Sequence, residues 1–124
     1  MEHNAVVWFE IYVQDMGRAR KFYETVLSIK LEKHDAPSPD LEMWTFAYKE
    51  KAMGASGALV KMDGVSPGGS GVMVYFASAD CAIEEARIEA AGGKVHRSKF
   101  SIAPYGFITV AQDTEGNMFG LHSM

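Results

Sequence analysis

The chain has 124 residues, of which 48% are hydrophobic and 23% charged, and its formal net charge is −4. These values are typical of one globular domain that buries roughly two-thirds of the surface of its unfolded chain. The acidic balance and the lack of a basic stripe argue against nucleic acid and anionic membranes as partners.

Other features of the sequence indicate where the protein works. No run of about 18 apolar residues is present, so we expect no membrane span. The polar N-terminus does not resemble a secretory signal. The single cysteine, Cys81, excludes an internal disulfide and fits a reducing compartment. We therefore expect a cytoplasmic protein with an inert thiol.

The first predicted strand has two faces of different character. Every second residue from Val7 to Val13 is apolar, which suits a face covered by a helix. The residues between them are Trp8, Glu10 and Tyr12, which combine large rings with a carboxylate. This second face suits a cavity or a half-wet surface.

A capping aspartate follows this strand, and the same order recurs later. Asp15 is predicted to cap a helix that continues to Leu27, because its carboxylate can accept from the first free backbone N–H groups. A second strand ends in Asp80 and a second helix, which Gly92 and Gly93 stop. Asp80 follows Asp15 by 65 positions (80 minus 15), about half the chain. The offset predicts an internal two-fold repeat.

Three more strands are predicted in each half. They cover 28–33, 43–48 and 57–62 in the first half and 94–97, 107–111 and 118–122 in the second. The glycine-rich segment Ser66–Gly71 is the best candidate for a linker. The expected organisation is therefore a single α+β domain over 1–124, with one βαβββ module at about 5–65 and another at about 71–124.

With these elements in place, the chain resembles the vicinal oxygen chelate superfamily, which includes glyoxalase I, the bleomycin- and fosfomycin-resistance proteins and the extradiol dioxygenases. The matching features are Arg20–Leu27 after the capping Asp15, the Ala91–Val95 junction and the turn Asp113–Asn117. The resemblance implies two βαβββ modules in a pseudo-two-fold arrangement, with a curled sheet around a shared cavity. It also implies a homodimer.

Enzymes of this superfamily hold a divalent metal ion with His, Gln or Glu side chains from four strands. The resemblance places these ligands at Trp8, at Met73 or Val74, near Val60, and at Gly120. None of these residues offers a suitable ligand atom, since a thioether is too soft for the metals concerned. The four histidines also lack a spacing that would pair two ligands on one face. We therefore predict no metal and no cofactor.

The resemblance places Glu10 inside the cavity, where partial desolvation suits a general base or an anchor for a cationic ligand. The alternative is a structural glutamate satisfied by partners at a module or dimer contact. The predicted ligand-binding residues are Trp8, Glu10, Tyr12, Met73, Tyr75 and His122.

Several of these residues also have a structural interpretation. Trp8 either fills the former metal space or stacks on a flat ligand. Tyr75 is either a core aromatic or a hydroxyl at the end of a stacking surface. His122 is either an acid/base or ligand contact, or a solvated histidine near a frayed C-terminus.

Two functions of different class remain open. The first is metal-free binding of a small, partly aromatic or cationic molecule in the cavity between the modules. The second is a lyase, isomerase or dioxygenase-type enzyme with an unmatched metal site or acid/base chemistry at Glu10. The absence of the usual ligands favours the first. A third interpretation is a dimeric domain whose cavity is filled by Trp8 and its neighbours.

Overall fold

A computed structural model of the chain describes residues 4, 6, 8–35, 39–69 and 72–124. Val7, Ser70 and Gly71, which belong to the predicted first strand and linker, lie outside the described residues. The helices and strands are β1 Trp8–Tyr12, α1 Met16–Leu27, β2 Glu32–His34, β3 Leu41–Thr45, β4 Ser56–Met62, β5 Val74–Ala77, α2 Cys81–Ile88, β6 Lys94–Ser101, β7 Phe107–Gln112 and β8 Met118–Ser123.

The strands form two four-stranded sheets with the same internal order. One sheet runs β1-β4-β3-β2 and the other β5-β8-β7-β6. In each sheet the first pair is parallel and the other pairs are antiparallel. Asp15 and Asp80 cap their helices by accepting from the backbone N–H of Arg18 and Ala82. The predicted α+β fold of two βαβββ modules is confirmed.

Several element boundaries differ from those predicted, among them that of β6, which was expected at 94–97 and runs to Ser101. The strand expected at 28–33 is Glu32–His34, because Ser28 ends α1 in a left-handed conformation with φ of 55°. The strand expected at 43–48 is Leu41–Thr45. The second helix ends at Ile88, ahead of the two glycines. Neither helix of the described residues is long and apolar enough to cross a membrane.

The core is a cluster of aromatic rings at the contact between the modules. Phe9 of β1 and Phe76 of β5 lie 5.9 Å apart, measured between ring centroids, so the edge strands of the two sheets meet through these rings. Tyr23 of α1 packs 5.8 Å from Phe76 and 5.7 Å from Phe119. Offset and edge-to-face pairs of this kind each contribute about 0.5–1.5 kcal/mol beyond their buried area.

Cys81 lies in the second module, at the first turn of α2, and is fully buried. Its Sγ is 3.1 Å from Ser123 Oγ and 3.4 Å from the carbonyl oxygen of Phe107. The backbone N–H of Cys81 donates to Ser123 Oγ at 3.2 Å. The thiol is therefore packed between α2 and the last two strands.

The turn between β7 and β8 joins the second module to the first. Within it, the fully buried carboxylate of Glu115 accepts from the backbone N–H groups of Gln14 and Asp15, at 3.0 and 2.9 Å. The same carboxylate accepts from Arg18 Nε at 2.7 Å. Glu115 of the second module thus holds the backbone of the first module between the end of β1 and the start of α1.

Two neighbours of Glu115 extend this contact. Asp113 accepts from the buried hydroxyl of Tyr23 at 2.6 Å. Asn117 Nδ2 donates to the carbonyl oxygen of Tyr12 at 2.9 Å, and Asn117 Oδ1 accepts from Gly68 N–H at 2.8 Å. We call Asp113, Glu115 and Asn117 the inter-module clamp.

The hydrogen bonds determine the charge state of Glu115. Burial alone would raise the pKa of its carboxyl, but the donors on Arg18, Asp15, Gln14 and Thr114 outweigh burial and lower this pKa from 4.5 to about 2. Because the pKa is lower in the folded chain, the stabilisation is complete above the ordinary value of 4.5. It is lost as the pH falls from there towards 2.

We predict that Glu115→Gln lowers the free energy of unfolding at pH 7 by about 2–3 kcal/mol, because it removes the charge that the donors stabilise. Urea denaturation at pH 7 and at pH 3 measures the effect, and the difference between wild type and variant should shrink at pH 3. Glu50→Gln, at an exposed position, is the matched control. Equal stability of the Glu115 and Glu50 variants would contradict the prediction.

Candidate functional site

A groove of about 1010 Å³ opens between the edge strands β1 and β5, beside the loop that joins β3 to β4. Its walls expose large apolar side chains, a combination typical of ligand-binding or protein-binding surfaces. The exposed large hydrophobic residues that line it are Val6, Trp8, Tyr48, Met53, Val72 and Tyr75.

Glu10 lies in this groove and is held by two rings of its own strand. Trp8 Nε1 donates to Oε2 of Glu10 at 3.3 Å, and the Tyr12 hydroxyl donates to Oε1 at 2.8 Å. Alternate residues of a strand share a face, so the three side chains form a row along β1. The hydrogen bond to Glu10, then burial and the charge of Glu10, raise the pKa of Tyr12.

The depth of Glu10 differs from the sequence-based expectation. Its side chain is exposed in the single chain rather than partly desolvated. Over the described ranges, no Lys or Arg forms an ion pair with it. The carboxylate is therefore oriented by neutral donors, and its remaining lone pairs face the groove.

Tyr75 of β5 and Met73, which directly precedes β5, also line the groove. Tyr75 is paired with Gly120 in the register of β5 and β8. A Cβ at position 120 would overlap the ring atoms Cδ1 and Cε1 of Tyr75. Because Gly120 has no side chain, the Tyr75 ring can lie against β8. Tyr75 is still 48% exposed, and it lines the groove.

The other predicted residues are placed differently. Tyr12 lies beside Glu10 but lines a smaller neighbouring pocket instead of the groove. His122 lies within β8, where a ring nitrogen, Nε2, is 2.7 Å from the carbonyl oxygen of Tyr105. It lines neither cavity. The structure thus brings Trp8, Glu10, Met73 and Tyr75 together and keeps His122 apart.

Sequence reasoning missed the contribution of the loop between β3 and β4. Tyr48 and Lys51 line the groove, although the sequence indicates a strand end and a solvated charged turn at these positions. Tyr48 is 74% exposed. The available signal for this contribution was Tyr48, an aromatic residue directly before the charged segment 49–51. The sequence does not show which cavity this residue lines.

The metal ion of the superfamily does not fit these side chains. Sheet register pairs Glu10 with Ala58 and Tyr75 with Gly120, so Ala58 is the first-module equivalent of Gly120, two residues from Val60. Ala58 and Val60 offer only hydrocarbon, Gly120 offers no side chain, and the indole of Trp8 can only donate. Within the described part of the chain, no three His, Cys, Asp or Glu side chains are grouped to hold a metal ion.

Comparison with known proteins agrees with this geometry. The family model "Bleomycin resistance protein-like N-terminal" matches residues 5–33. Comparison with the sequences of curated proteins returns no match. The family model therefore covers the first strand, the first helix and the start of β2.

Solved structures resemble the whole fold. Glyoxalase I from Zea mays is 23% identical, with a TM-score of 0.73 over 94% of this chain and 44% of that chain. This chain thus spans less than half the length of the maize enzyme. TnmS3, an antibiotic-binding protein from Streptomyces sp. CB03234, is 26% identical, with a TM-score of 0.68 over 99% of this chain and 98% of that one.

A third structure, the trypanothione-dependent glyoxalase I of Leishmania major, is 19% identical, with a TM-score of 0.70 over 98% of this chain and 87% of that chain. The fold is that of the glyoxalase and bleomycin-resistance proteins. Together with the N-terminal model, it supports the resemblance to the vicinal oxygen chelate superfamily that the sequence indicated.

We predict that protein purified without chelator or nickel resin carries well below one equivalent of Zn, Ni, Mn or Fe, because the four ligand positions lack donor atoms. Elemental analysis after dialysis is the measurement. A stoichiometric metal that survives dialysis and is lost in Glu10→Gln or His122→Ala would show that the chain holds a metal through other residues.

We also predict coupling between positions 75 and 120. Gly120→Ala should lower the free energy of unfolding by about 1–3 kcal/mol, because the new methyl group displaces the Tyr75 ring. In the Tyr75→Ala variant, Gly120→Ala should lower the free energy of unfolding by a smaller amount. A double-mutant cycle in urea measures this difference directly. Additive effects of the two substitutions would mean that the ring does not rest on Gly120.

Proposed function

We propose that the protein binds a flat, partly aromatic small molecule without a metal ion, in the groove between β1 and β5. The observation that carries the proposal is the pair of exposed rings, Trp8 of β1 and Tyr75 of β5, that both line a groove of about 1010 Å³. Pockets for drug-sized ligands have volumes of about 300–1,000 Å³ and are lined mostly by apolar and aromatic side chains.

Two charged side chains are available to orient such a ligand. Among the described residues that line the groove, only Glu10 and Lys51 carry a formal charge. The Glu10 carboxylate is already held by Trp8 and Tyr12, so little side-chain entropy is lost when it accepts another hydrogen bond. A small number of polar groups, held in fixed positions in an apolar groove, suits ligand binding better than catalysis.

The comparison with TnmS3 supports binding and sequestration. That protein binds an antibiotic, and its similarity extends over nearly the whole of both chains. The ligand of the present chain is proposed only by class. We further propose that the protein works as a homodimer, because the exposed apolar rim around Val6, Met53 and Val72 is suited to cover by a second copy. We also propose a cytoplasmic location, since the single cysteine, Cys81, fits a reducing compartment.

The proposal predicts that the uncharged fluorescent probe N-phenyl-1-naphthylamine binds saturably, and that Tyr75→Ala raises its Kd by about tenfold through loss of ring stacking. A fluorescence titration measures both values. Tyr105→Ala removes another exposed tyrosine, outside the groove, and should leave the Kd within about twofold of wild type.

Two results would count against this function. The first is failure of the wild-type protein to bind the probe. The second is an equal loss of affinity in the Tyr75 and Tyr105 variants, which would indicate non-specific adsorption to exposed apolar surface.

A further inference from the structure

A second, smaller pocket of about 190 Å³ adjoins the groove. It lies between β1, the clamp residue Asn117 and the segment Ser66–Gly69, which follows the first module. Asn117 Oδ1 accepts from Gly68 N–H at 2.8 Å and so fixes this segment over the pocket. One wall of the pocket is therefore fixed by a hydrogen bond.

The two cavities share lining residues and are therefore neighbours. Glu10, Val72 and Val74 line both. Glu10 thus stands at the junction, with its carboxylate between the row of large rings in the groove and the smaller space beyond. A ligand that passes this junction would have one part in each cavity.

The chemistry of the small pocket differs from that of the groove. Within the described lining, Glu10 is its only formally charged residue, whereas the groove also has Lys51. Of its three aromatic residues, Tyr12 is partly exposed, whereas Tyr23 and Phe119 are 0% and 1% exposed and belong to the core behind the pocket. A carboxylate beside an aromatic ring attracts organic cations through its charge and through the negative face of the ring.

The surrounding charges reinforce this preference. The hydroxyl of Tyr23 donates to the buried Asp113 at 2.6 Å, which places a second carboxylate behind the wall of the pocket. Arg18 pairs with Glu115 at 2.7 Å, so its charge is compensated and it does not line the pocket. The charged groups at and directly behind the pocket are thus the carboxylates of Glu10 and Asp113.

We propose that this pocket is a subsite for the alkylammonium group of a ligand whose flat apolar part lies in the groove. The inference rests on the proposed function and adds the chemical class of the ligand, an aromatic or polycyclic molecule with a compact cationic end. A compact trimethylammonium group suits a pocket of about 190 Å³ better than three butyl chains do.

The test uses three probes that compete with N-phenyl-1-naphthylamine, followed by fluorescence. They are (1-naphthylmethyl)trimethylammonium, its uncharged carbon isostere 1-neopentylnaphthalene, and (1-naphthylmethyl)tributylammonium. The wild-type protein should bind the trimethylammonium probe about tenfold tighter than the isostere, and the tributyl probe should lose this advantage.

Substitution of Glu10 identifies the group responsible. Glu10→Gln keeps the shape of the side chain and should reduce the preference for the trimethylammonium probe to about twofold or less. Glu42→Gln is the matched control, since Glu42 accepts from the other tryptophan, Trp44, at 2.9 Å and lines neither cavity. Unfolding midpoints of both variants confirm that they fold.

The possible results separate the two proposals. Equal affinity for the trimethylammonium probe and its isostere, with binding of the uncharged fluorescent probe intact, overturns the subsite and leaves the groove as a binding site. A preference that survives Glu10→Gln, or that the tributyl probe also shows, overturns it as well. Loss of binding of all probes by the wild-type protein overturns the proposed function itself.

Discussion

The carboxylate of Glu115 fixes the relation between the two modules. It is buried, yet it stays charged because two backbone N–H groups and the Arg18 guanidinium donate to it. A buried charge without such donors would be strongly destabilising. Since the backbone donors are Gln14 and Asp15, the clamp holds the chain just after β1 against the second module.

The two modules use equivalent hairpin loops for different purposes. The turn between β7 and β8 closes onto the first module through Asp113, Glu115 and Asn117. The loop between β3 and β4 occupies the corresponding place in the first module, but it exposes Tyr48 and Met53 along the groove. The pseudo-two-fold is thus kept in the strands and broken in the loops, and the groove lies beside the loop between β3 and β4.

The sequence predicted the parts of the structure that depend on local patterns. Alternation along residues 8–12 and the capping aspartates Asp15 and Asp80 identified the strands, the helices and the repeat. Alternation also assigned Glu10 to its face, but it cannot give depth, and the structure shows the side chain exposed. The clamp and the Tyr75–Gly120 contact join residues 45 to 105 positions apart, so neither could be found from local spacing.

The position of Cys81 has a consequence for following the opening of the chain. The thiol is fully buried against Ser123 and the carbonyl oxygen of Phe107, all within the second module. An alkylating reagent can reach it only after α2 separates from β7 and β8. Because the chain has a single cysteine, its labelling rate reports how often the second module opens. A mass spectrometer can measure this rate without any engineered reporter.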